Sequence, residues 1–128
     1  MKNIIKFSVL ILVVVFFTSC ASKKPIKSSG AVIIFKTPSM KFYDKGFVKI
    51  FEEYINLQIY NSGVVALNLD IYKKEICKGF LQCMQAKEFN KTYLSDTYED
   101  EFLYKLFSSK KIYFKDKVNN VFIKVKKL

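Results

Sequence analysis

Cysteine and carboxylate are the side chains of this sequence best equipped for chemistry, because the chain contains no His, no Arg and no Trp. Without imidazole there is no Ser/His/Asp or Cys/His catalytic set and no His metal ligand, and there is no bidentate arginine clamp. Cys77 and Cys83 enclose Lys78-Gly79-Phe80-Leu81-Gln82. Five residues with a Gly suit a small loop or hairpin closed by a disulfide, which would contribute roughly 2 kcal/mol by limiting the unfolded chain. Free thiols, redox chemistry and metal binding are the alternatives. A redox pair more usually has Cys-x-x-Cys at a helix start, and two Cys with no His and no second pair cannot close a zinc site. Among the 11 acids, Glu52-Glu53 and Glu99-Asp100-Glu101 are the visible clusters. Neighbours on a strand point to opposite faces, so Glu52 and Glu53 do not form an acid/base pair. The second cluster is explained by a helix amino terminus. No catalytic residue, metal or cofactor is therefore expected.

The elements that must position these groups fit one small domain, since the chain has 128 residues. Its dominant period, within residues 31–128, is two. Ala31 to Lys36 is a short apolar run suited to a buried strand, ended by Pro38. Phe42-Tyr43 leads to Asp44-Lys45-Gly46, a turn triplet, and then to Phe47 through Phe51. Ile55, Leu57 and Ile59 alternate with Asn56, Gln58 and Tyr60, and Asn61-Ser62-Gly63 supplies a turn. Val65, Leu67, Leu69 and Ile71 alternate with Ala66, Asn68 and Asp70 as the clearest half-buried strand. Short turns between consecutive strands make an antiparallel meander.

One segment reads as a helix, about residues 96–108. Asp96 and Glu99 have the spacing of a capping-box variant, Asp100 and Glu101 add negative charge to the first turn, and Phe102, Leu103, Leu106 and Phe107 make one apolar stripe. A shorter helical turn around Ala86 to Leu94 is weakened by Asn90 and Thr92. Ile112 to Lys115 and Val121 to Lys126 read as a closing hairpin about Asp116 to Asn120. The fold class expected is α+β and mostly β, an antiparallel meander or incomplete β-barrel packed by one main helix.

The first twenty residues are a different polymer. Lys2 and Lys6 mark a basic start, and ten of the eleven residues from Phe7 to Phe17 are hydrophobic. A run of about eleven cannot cross a roughly 30 Å hydrocarbon core, which needs about 20 helical residues, so the layout is that of a secretory signal peptide. Phe17-Thr18-Ser19-Cys20, followed by Ala21-Ser22, resembles the lipobox of bacterial lipoproteins, with Phe17 where that family usually has Leu. The resemblance implies a signal peptide of residues 1–19 and a mature chain whose first residue, Cys20, is diacylated and N-acylated. More than one buried acyl chain, at about 0.8 kcal/mol per CH₂, holds a protein to a bilayer durably. Ala21 stands where an Asp would favour inner-membrane retention, so the family rule implies the outer membrane with the domain on its periplasmic face. There an oxidised Cys77–Cys83 pair is the default.

Residues 20–30 then comprise the acylated Cys and a flexible tether, polar and carrying Pro25 and Gly30. Its Lys23, Lys24 and Lys27 either lie on anionic head groups or simply solubilise a linker. Of the formal charge of +11, only +6 belongs to residues 31–128, with 17 lysines against 11 acids. Nucleic acid is a poor partner for a periplasmic domain without arginine, and scattered lysines suit a solvated surface. The same 98 residues hold 18 Phe and Tyr. These either line a cavity for acyl chains lidded by Phe102, Leu103, Leu106 and Phe107, or form the core of a small domain.

Residues 42–115, through Asp44-Lys45-Gly46-Phe47, the run Leu57 to Leu69 and the helix after Tyr98, look like the LolB type of outer-membrane lipoprotein receptor. The resemblance implies an incomplete β-barrel, lidded by helices, that holds lipoprotein acyl chains. Two functions from different classes follow. One is a non-catalytic, lipid-anchored periplasmic module of binding or structural role, an accessory subunit of an outer-membrane assembly. The alternative is a LolB-like acceptor of lipoproteins or lipid acyl chains.

Overall fold

The computed structural model describes residues 3–6, 8 and 23–128. Cys20 and most of the expected signal segment lie outside the described residues. Among those described, no helix is long and apolar enough to cross a membrane.

Alternation in the sequence becomes eight strands, β1 (Lys27–Lys36), β2 (Lys41–Ile50), β3 (Ile55–Asn61), β4 (Val64–Ile71), β5 (Glu75–Lys78), β6 (Gln82–Gln85), β7 (Tyr113–Asp116) and β8 (Val121–Lys127). Two helices, α1 (Ala86–Tyr93) and α2 (Phe102–Ser108), stand between β6 and β7. The strands form one open sheet in the order β6-β5-β4-β3-β2-β1-β8-β7, with every neighbouring pair antiparallel. The first six make a meander, and the β7–β8 hairpin returns to the free side of β1.

Period-two patterning sorts the side chains between two faces. Ile55, Leu57 and Ile59 on β3 stand opposite Ile71, Leu69 and Leu67 on β4, and all six are buried. Ile33 and Phe35 from β1, Ile76 from β5 and Ile123 from β8 extend this inner face. Helix α1 packs on β5 and β6, and α2 crosses β3, bringing Phe89, Leu103 and Phe107 into the same buried cluster. Each side chain of this size contributes roughly 1.5–3 kcal/mol when removed from water, which is why so short a pair of helices is held in place. On the outer face Asn56 Nδ2 donates to Asn68 Oδ1 at 2.8 Å and to Asp70 Oδ1 at 2.7 Å.

Several elements differ from the expectation. Asp44-Lys45-Gly46 is the middle of β2, with Asp44 opposite Ile33 and Gly46 opposite both Ala31 and Ile59. Gly46 is there for close approach, because a Cβ at that position would meet the Gln58 carbonyl oxygen at 1.9 Å. Lys27 through Gly30, at the end of the expected tether, pairs with Ile50 through Phe47 and is strand. The exposed ladder edge of β2 there supplies partners for four further residues of backbone. Between Ile59 and Tyr60 the register shifts, so that Ile59 pairs with Leu67 but Tyr60 with Val65. Beyond that irregularity Val65 leaves the buried face, and Val64 and Val65 are both exposed.

Helix formation is later and shorter than the expected 96–108, and it is shared. Helix α2 begins at Phe102, its N-cap is Glu101, and no side chain caps it. The Asp96–Glu99 capping box does not form because residues 95–99 are held otherwise. Ser95 Oγ accepts from Thr97 N–H at 3.2 Å, and Asn90 Nδ2 on α1 donates to the Glu99 carbonyl at 2.8 Å. Helix α1 forms despite Asn90, whose buried side chain bridges to the following segment through that same hydrogen bond while its Oδ1 has no partner among the described residues.

Candidate functional site

The Cys77-to-Cys83 segment is the most distinctive arrangement. The two cysteines occupy directly opposed positions of the β5–β6 hairpin and form a disulfide. The chain turns at Gly79, where φ is +69°, a conformation that favours glycine. Gly79 N–H donates to the Asn68 carbonyl at 2.9 Å, tying the turn back to β4. Closure by a covalent bond on one side and this hydrogen bond on the other leaves Phe80 and Leu81 at the tip, 97% and 95% exposed. Hairpin tips are ordinarily Gly, Asn, Asp or Ser, so two adjacent large apolar side chains there lose burial without any gain to the fold. Glu75 lies beside the sulfurs, but with these joined it has no thiolate partner for a metal.

Sequence reasoning identified the cysteines and passed over Phe80 and Leu81. The available signal was an apolar dipeptide placed after a Gly in the centre of a short loop between cysteines.

The four expected lid residues divide by face. Leu103 and Phe107 are fully buried in the core, while Phe102 and Leu106 are partly buried against it. Phe102 meets Tyr98 and Phe114 at ring-centroid distances of 4.5 and 4.7 Å. A cavity of about 80 Å³ touches α2 at Phe107, between Val48 and Ile112, which is smaller than an acyl chain needs. Lid residues are thus brought together by α2 as a plug of the inner face.

The carboxylate clusters remain apart from one another. Glu53 lies 3.8 Å from Lys23, Glu99 and Glu101 flank Lys105 at 3.0 and 3.9 Å, and Asp100 lies 3.9 Å from Lys74. Lys105 is consequently held above its ordinary pKa, by the hydrogen bond to Glu99 first. These are solvated ion pairs worth little each.

Asp116 is better built. Its Oδ2 accepts from the Tyr98 hydroxyl and from Asn119 Nδ2, both at 2.7 Å, and its Oδ1 accepts from the backbone N–H of Val118 and Asn119. The Tyr98 hydrogen bond, followed by that from Asn119, holds the Asp116 carboxyl below its usual range. Burial, then the bond to Asp116, pushes the Tyr98 hydroxyl up. A depressed carboxylate contributes stability that is present above its unfolded pKa of about 4 and lost as pH falls through the folded value. A raised tyrosine contributes stability present below about pH 10 and lost above it. Tyr98→Phe is accordingly expected to lower the thermal midpoint by a few degrees near neutrality, with the gap to the parent narrowing once the pH falls below about 4. Thermal denaturation across that range measures it, and a gap independent of pH would show that packing, not this hydrogen bond, is lost.

The structure thus defines an α+β, mostly β domain, an open eight-stranded antiparallel sheet with two helices on its inner face and a disulfide-closed apolar hairpin at one edge. The chain matches no family model, no curated protein and no solved structure.

Proposed function

We propose that the chain is a lipoprotein anchored through Cys20 to the outer membrane, with its domain on the periplasmic face. It acts without catalysis as a binding or structural subunit of an outer-membrane assembly. The observation that carries this is the near-complete exposure of Phe80 and Leu81 on a hairpin fixed by the Cys77–Cys83 disulfide. Large apolar side chains on a rigid support bind at low entropic cost, as the anchors of interfaces do. Direction supports a partner over the anchoring bilayer. Hairpin β5–β6 points the way β1 runs, away from the end of β1 where the tether enters. The seven residues from Cys20 to Ile26 reach at most about 25 Å.

A photo-crosslinking residue placed at position 80 of the full chain in native membranes should yield one discrete, stoichiometric protein adduct, and the same residue at Val118, also exposed, should not. Phe80→Ser with Leu81→Ser should weaken association with that partner by about a hundredfold or more while leaving the thermal midpoint unchanged. Adducts to lipid alone, or none, would overturn the proposal.

A second function, a LolB-like acceptor of lipoprotein acyl chains, is favoured by the same apolar tip, which offers a first contact for an acyl chain. Native mass spectrometry of the full chain after exposure to a fluorescent fatty acid decides it. An empty protein removes this alternative and leaves the docking function standing.

A further inference from the structure

A cleft of about 530 Å³ opens at the far end of the sheet, between the β1–β2 turn and the β7–β8 hairpin. Strand register builds its wall. Lys36 on β1 pairs with Lys41 on β2, Phe122 on β8 pairs with Lys36, and Lys115 on β7 pairs with Phe122. Residues paired across strands share a face, so Lys41, Lys36, Phe122 and Lys115 form one row over four strands. Lys117, in the following turn, faces the same cleft. Like charges directly opposed on neighbouring strands destabilise a sheet, and the Lys36–Lys41 pair has no internal compensation. Among the described residues, ion pairs engage Lys23, Lys74 and Lys105 and none of these four lysines.

Asp116, the acid of the cleft, does not offset them by pairing. Its two oxygens are occupied by Tyr98, Asn119 and two backbone N–H groups. Both turns are closed by their own residues. Thr37 Oγ1 accepts from Met40 N–H at 3.0 Å, and Asn120 closes its turn at φ +55°. Phe122, half-buried in the middle of the row, offers a flat apolar surface, with the Lys115 ammonium 5.6 Å from its ring centre.

We propose that this row is a binding site for a phosphate group carried on a body that rests against Phe122. Several lysines converging on one cleft call for a compact ligand with more than one negative charge, and lysine binds phosphate as a point charge without the bidentate geometry of arginine. The cleft has the volume of a small-molecule site. Phosphate on a lipid headgroup and phosphate on a free compound share this chemistry. The site and the Phe80–Leu81 hairpin lie at the same end of the strands but toward opposite edges of the sheet, and the site does not depend on the hairpin's role.

Amide shifts of the isotope-labelled full chain in zwitterionic micelles test the proposal. One arm adds inorganic pyrophosphate, and the other adds phosphatidic acid to the micelles. Saturable shifts confined to residues 36–41 and 115–122 are expected. Their appearance with pyrophosphate points to a free compound, and their appearance with phosphatidic acid alone points to a headgroup. The K36Q/K41Q/K115Q variant should bind at least about tenfold more weakly, while K124Q/K126Q, two lysines on the same sheet face outside the row, should bind as the parent does. The spectra themselves report whether each variant is folded. No saturable shift in either arm, or equal weakening in both variants, overturns the proposal.

Discussion

Phe107→Ala should destabilise the domain by about 3–5 kcal/mol, a large part of the roughly 5–15 kcal/mol available to a domain of this size. Phe107 is 1% exposed and belongs to the continuous buried cluster that includes Leu103. Its helix has seven residues and no side-chain cap, so nothing local would hold α2 once its principal buried ring is removed. Leu106→Ala, one position earlier and only partly buried, should cost about 1 kcal/mol. Urea denaturation of the two variants measures both numbers. The comparison bears on function as well as on stability. Side chains lining a roomy cavity for acyl chains already lack partners on one side, and truncating one forfeits little. A loss below about 1 kcal/mol at Phe107 would therefore mean that the space beneath α2 is loosely filled, as a lipid acceptor requires.

What the sequence disclosed and what it concealed follow from how far each feature reaches along the chain. Leu67, Leu69 and Ile71 declare their buried face by alternation alone, since each decision is made within two residues. The disulfide was legible for a similar reason, as its cysteines are only six positions apart. Helix α1 was obscured because Asn90 looks unfavourable in a helix, yet it is paid for by a hydrogen bond to Glu99, nine residues away. The start of α2 was misplaced because Asp96 and Glu99 satisfy a local pattern, whereas Ser95 and the bond from Asn90, nine residues before Glu99, hold that segment otherwise. The lysine row is the extreme case. Lys36, Lys41, Lys115 and Phe122 become neighbours only through the registers of three strand pairs, and along the chain these lysines look scattered. Exposure of Phe80 and Leu81 was hidden for another reason, since composition treats an apolar residue as core until the turn that ejects it is located.

Gly46→Ala should prevent stable folding or cost at least about 3 kcal/mol, although it adds a single methyl group. The added Cβ would lie 1.9 Å from the Gln58 carbonyl oxygen, 3.0 Å from the Gln58 carbonyl carbon and 2.9 Å from Ile33 Cδ1. Ile33 has rotamers with which to give way, whereas Gln58 belongs to the backbone of β3, fixed by β2 on one side and β4 on the other. Relief requires β2 and β3 to separate, which would break ladder hydrogen bonds between two central strands. A turn glycine behaves differently. Gly63 has φ +80° and open space where its Cβ would stand, so Gly63→Ala meets only the left-handed backbone strain of about 1–2 kcal/mol. Denaturant midpoints of the two variants, with the soluble yield of each, distinguish a strand glycine from a turn glycine. Equal losses would place Asp44-Lys45-Gly46 at a bend and undo the continuous β2. A far larger loss at Gly46 means that the missing side chain is what lets β2 close on β3.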